Sequence, residues 1–76
     1  MKEAVEKIVK AIVSEPEAVE VSEVADGKNV RIEVRVADGD MGKIIGREGR
    51  TVKAIRSLLF FAGQKQGKRF QLDLVE

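Results

Sequence analysis

The chain has 76 residues, 43% of them hydrophobic and 36% charged, with no Cys, no His and a formal net charge of +1. This excludes disulfides and thiolate or imidazole chemistry, and leaves packing alone to stabilise one small domain. No apolar run approaches the ~20 residues of a membrane span or the pattern of a secretory leader, so the expectation is a cytoplasmic protein with no membrane partner.

Lys2 to Ser14 place Val5, Ile8, Val9 and Ile12 on one helical stripe, and Pro16 stops the helix by disfavouring helical geometry at Glu15. The period then changes. Val19 and Val21 alternate with Glu20 and Ser22, Asp26-Gly27 reads as a turn, and Val30, Ile32, Val34 and Val36 alternate with polar residues, which predicts a hairpin with one wet face. Asp38-Gly39-Asp40 offers a break and an N-cap for a short helix from Met41 to Ile45. A longer helix from Arg50 carries Val52, Ile55, Leu59 and Ala62 on its apolar face and is predicted to end at Gly63. Phe70, Leu72 and Leu74 alternate as a closing strand. The order helix, strand, strand, helix, helix, strand predicts an α+β fold with the helices on one face of a mixed three-stranded sheet, the last strand parallel to the one containing Ile32.

The near-neutral total charge conceals an asymmetry, because residues 1–40 carry 6 Lys+Arg against 10 Asp+Glu while residues 41–76 carry 8 against 3. A face for an anion belongs to the second half, although a solvated surface produces such splits too. The segment that fits best is Gly46-Arg47-Glu48-Gly49, between two helices and flanked by bases. Glycines at both ends admit positive φ and a close approach of a sugar-phosphate backbone, and the helix that follows presents unpaired N–H groups to the same place. Lys43, Arg47 and Arg50 can add charge there, and Ile44 and Ile45 an apolar wall for a base, one of their faces turned to the core. Taken alone, Gly-x-x-Gly is also an ordinary helix-to-helix turn. It is not a nucleotide-binding P-loop, since neither Gly42-Lys43-Ile44 nor Gly67-Lys68-Arg69 continues with Ser or Thr. With no activated nucleophile in sight, the reading is that the chain is not an enzyme and needs no cofactor or metal.

The run from Met41 to Arg56, with its Ile45-Gly46-Arg47-Glu48-Gly49 core, resembles the KH domain, and the whole order of elements resembles the type II arrangement of small bacterial stand-alone KH proteins of the KhpA/YlqC type. The resemblance implies a cleft for about four nucleotides of single-stranded RNA, formed by Lys43, Ile44, Ile45, Gly46, Arg47, Glu48, Gly49, Arg50 and Lys53 with a strand edge. It places Lys65, Lys68 and Arg69 at the variable loop on the opposite rim, as candidate phosphate contacts that a solvated basic turn would equally explain. It also implies an RNA chaperone or post-transcriptional regulator, linked in some bacteria to cell shape and cell-wall synthesis. Glu48 tempers the analogy by neutralising Arg47 within the loop.

At 100° per residue Phe60 and Phe61 fall to either side of the apolar cluster on the longer helix, so at least one is expected at the surface. With Leu58 they suggest an association face, unless another element covers them. The resemblance points to a homodimer and to pairing with a KhpB-like RNA-binding protein. The competing reading is an interaction module on the same scaffold, with RNA binding secondary.

Overall fold

The alternating segments pair as expected. In the computed structural model, which describes residues 1–75, the elements are α1 (Lys2–Ile12), β1 (Glu20–Asp26), β2 (Asn29–Arg35), α2 (Met41–Ile45), α3 (Arg50–Gln66) and β3 (Arg69–Val75). β1 runs antiparallel to β2, with Val21 opposite Val34 and Asp26 opposite Asn29 across a turn in which Gly27 takes a φ of +63°. β3 lies parallel to β2 on its other side, Ile32 beside Leu72 and Val34 beside Leu74, giving the order β1-β2-β3.

The strands alternate because one face is covered and the other is not. Val21, Val30, Ile32, Val34 and Leu72 are buried against Val5 and Val9 of α1, Ile44 of α2, and Val52, Ile55 and Leu59 of α3. A fully buried side chain of this size contributes about 1.5–3 kcal/mol relative to an exposed one. The open face is polar and pairs with itself: Arg31 Nε lies 3.4 Å from Glu33 Oε2 and 3.6 Å from Asp73 Oδ2. β1 is covered only at Val21, and beyond it every residue of the strand is exposed, Val24 included.

One helix end and one cap depart from the sequence reading. α3 does not stop at Gly63 but continues to Gln66, and its C-terminal residue in the left-handed region is Gly67, at φ 66°. Lys68 N–H closes the end on the Gly63 carbonyl at 2.8 Å. Gly63 is there for packing, because a Cβ would run into the Lys68 carbonyl oxygen and lie 3.4 Å from Phe70 Cδ2. Asp40, expected to cap α2 with its side chain, makes no such bond. Its carboxylate instead accepts the main-chain N–H groups of Ser14 (3.1 Å) and Glu15 (3.0 Å), tying the exit of α1 to the entry of α2.

Among the described residues, no helix is long and apolar enough to cross a membrane, and no cluster of side chains could hold a metal ion.

Candidate functional site

Asp40 is the sole buried charged residue of those described, 3% exposed. Burial pushes its carboxyl up, but the two amides and the Lys43 ammonium outweigh that and hold it below the ordinary value of 3.8. Lys43 Nζ sits 3.7 Å from Asp40 Oδ1 and donates to Ser14 Oγ. Lys43, which the sequence reading places among the RNA contacts, therefore braces α2, and Asp40 with Ser14 is what positions it. The signal for Asp40 was an acid at a helix entry, which pattern alone assigns to a cap.

α2 lasts one and a half turns because Gly46 takes a φ of 76° and a ψ of 176°, closing the helix with its N–H on the Gly42 carbonyl at 2.9 Å. A Cβ at Gly46 would stand 2.7 Å from Thr51 Cβ and 2.9 Å from Thr51 N. The chain at Gly46 thus lies directly on the first turn of α3, an approach that glycine alone permits. Arg47 follows. Glu48 then takes φ 56° and ψ 26°, and Gly49 φ 74° and ψ 15°, two left-handed residues in succession before α3 begins at Arg50. Among the described residues no side chain caps α3, so its first N–H groups are left toward the loop.

The charges around this loop differ in availability. Arg50 and Glu48 lie 3.7 Å apart, both more than three-quarters exposed; Arg47 and Lys53 are exposed and have no ion pair among the described residues. Ile44 has no exposed surface, so it anchors α2 to the core and has no face left for a base, whereas Ile45 is 41% exposed. Neighbours on a helix differ by about 100°, which is why only one of the two can face inward. The apolar wall expected of both is Ile45 alone.

Beside α3, the open edge of β3 bounds a groove of about 350 Å³ lined by Arg56, Leu59, Phe70 and Leu72, among others. The Arg56 guanidinium donates to the Leu72 carbonyl at 3.4 Å. Arg56 thus ties α3 to this strand edge. Lys65, Lys68 and Arg69 do not gather at the loop. They occupy the far end of α3, roughly 24 Å away at ~1.5 Å per residue from Arg50 to Gln66. Leu58 (56%), Phe60 (50%) and Phe61 (68%) are all exposed, and among the described residues no other element covers them.

The chain matches the family described as KhpA/KhpB, KH domain, over residues 2–74. It is 47% identical to the RNA-binding protein KhpA of Halalkalibacterium halodurans over the full length of both chains. It is 44% identical to the protein of that name from Caldanaerobacter subterraneus, over 99% of this chain and all of the other. A third relative of that name, from Chlamydia trachomatis, is 45% identical over all of this chain and 97% of its own. No solved structure matches significantly. The chain belongs to the KhpA/KhpB family of KH domains.

Proposed function

We propose that this KH-family chain binds a short stretch of single-stranded RNA, without chemistry, at the loop Gly46-Arg47-Glu48-Gly49, and serves as an RNA chaperone or post-transcriptional regulator of the kind linked to cell shape and cell-wall synthesis. The observation that carries the reading is the backbone of the loop. Gly46 and Gly49 present main chain without side chain beside Arg47, the N–H groups of α3 and the exposed half of Ile45. That combination suits a phosphate with a base laid against an apolar wall. The relatives' name, RNA-binding protein, supports it.

The test is fluorescence anisotropy of a labelled single-stranded RNA with wild-type protein and with Arg47→Asp. Arg47 makes no ion pair among the described residues and is exposed, so the variant keeps its fold. Saturable wild-type binding lost tenfold or more in the variant is the expected result; equal binding by both refutes the loop as the clamp.

A second use of the scaffold is favoured by the exposed apolar stripe. On α3, Leu58 and Phe61 share a face with the small residues Ala54 and Ser57, which let a second helix approach closely. This face supports a homodimer through α3, with Phe60 at its margin, or pairing with a KhpB-like protein.

A further inference from the structure

Beyond the glycine loop, the far end of α3 holds a second groove, of about 300 Å³, lined by Phe60, Gln64, Lys68, Arg69 and Phe70. Phe70 also lines the groove at the β3 edge, so the two adjoin. Phe60 is half exposed, and its ring stacks against that of Phe61 with planes 6° apart and centroids 5.8 Å apart, which holds it beside the groove. Lys65, Lys68 and Arg69 have no ion pair among the described residues. Among the described residues no acidic side chain lines this groove.

We infer that this groove is a nucleobase subsite: a base stacks against Phe60 with Phe70 at its edge, while Lys68 and Arg69 hold the adjoining phosphates. Sequence-independent grips on single strands combine an aromatic platform with cations along the backbone, and this end of α3 supplies both. Gln64 adds an amide that can donate to and accept from a base edge. The charge of the patch selects a polyanion over an apolar helix as its occupant, because a second copy seated here would bury Lys68 and Arg69, two cations without an ion pair among the described residues. The inference rests on the RNA-binding reading and extends it. One strand is gripped at two points, the loop and a groove that begins at Phe60, roughly 15 Å along α3 from Arg50, and reaches the helix end at roughly 24 Å, a span of about four to seven nucleotides at a stacking distance of ~3.4 Å and fewer when extended.

The experiment compares labelled adenosine oligonucleotides of four and ten nucleotides against wild type, Phe60→Ser and Lys68→Glu, with circular dichroism and sedimentation on each protein. Phe60 is half exposed and Lys68 exposed, so at least one variant retains the fold. Wild type is expected to bind the ten-mer at least tenfold tighter than the four-mer. Both variants should keep four-mer binding; on the ten-mer Phe60→Ser should lose about five- to a hundredfold, the range for removing a stacked base, and Lys68→Glu should weaken binding and make the salt dependence shallower, as loss of a phosphate contact requires. Four-mer binding with no gain for the ten-mer overturns the subsite and leaves the loop reading intact. Phe60→Ser changing only the sedimentation coefficient gives the groove to a second copy and likewise overturns it. Binding of neither oligonucleotide overturns both readings.

Discussion

Replacing Gly46 by Ala tests whether the loop is held by backbone geometry. At φ 76° and ψ 176° the position lies in a region essentially confined to glycine, where a side chain costs about 1–3 kcal/mol. The new Cβ would also overlap Thr51, 2.7 Å from its Cβ, and forced overpacking adds about 1–3 kcal/mol. The expected loss is ~2–6 kcal/mol, a large share of the ~4–11 kcal/mol that a domain of 76 residues commands. Gly49 is the internal control: its φ is 74° and ψ 15°, but a Cβ there meets nothing within 4 Å, so Gly49→Ala should cost only the left-handed penalty of about 1–2 kcal/mol. Urea midpoints with an unchanged m-value measure both. Introducing Thr51→Gly into Gly46→Ala removes the overlapping side chain and should recover about 1–2 kcal/mol as a coupling energy. A Gly46→Ala protein no less stable than Gly49→Ala would refute the argument that α2 and α3 are locked by this contact.

Asp40→Asn should lower the urea midpoint at pH 7, because the Ser14 and Glu15 N–H groups are accepted by different carboxylate oxygens and the amide replaces one of these with an NH2 that cannot accept. In wild type the folded carboxyl titrates below 3.8, so its contribution is complete above that pH and is lost as pH falls through the folded value; midpoints at pH 7, 4 and 3 should show this slope in wild type and not in the variant. Glu48→Gln should bind RNA roughly threefold more tightly by anisotropy, since one like charge is removed at the phosphate site in a high-dielectric surround, and unchanged affinity would show that Glu48 points away from the bound strand. Phe61→Asp should leave a chain that pairs through α3 monomeric by light scattering at tens of micromolar, with circular dichroism unchanged because Phe61 is 68% exposed.

The periodic parts of the chain were readable in advance because one-sided burial imposes the pattern. Val30, Ile32 and Val34 alternate since the sheet is covered on one face, and Val5 and Val9 mark the inward stripe of α1. The parallel placement of β3 followed from the two-helix crossover. What was not readable depends on distances between segments remote in sequence. Gly63 looks like a helix end until the Lys68 carbonyl is seen against it, and Asp40 looks like a cap until Ser14 and Glu15 are found 25 or more positions back along the chain. The loop glycines were visible as a motif, but their difference was not: Gly46 is needed for contact as well as conformation, Gly49 for conformation alone. Similarly, Ile44 and Ile45 are equivalent in composition, and only the rotation of α2 against the core separates them.

The same geometry sets how strongly the loop can hold a polyanion. Of the cations around it, Lys43 is engaged with Asp40 and Ser14, and Arg50 lies beside Glu48. Arg47 and Lys53 are left without an ion pair among the described residues. Single-strand binding changes as about −0.7 per neutralised phosphate in log-log salt dependence, so two contacts give a slope near −1.4 and three, with Arg50 released, near −2. The release is cheap, because an exposed pair at 3.7 Å is worth about 0–1 kcal/mol. If the loop is the clamp proposed above, it would orient a strand more than retain one. On that proposal retention would come from contacts added at a distance, and α3 carries two candidates: the basic aromatic groove at its far end, and the Leu58 and Phe61 face through which a second copy would bring a second loop. Either converts the next contact into an intramolecular one, multiplying affinity without strengthening the loop itself.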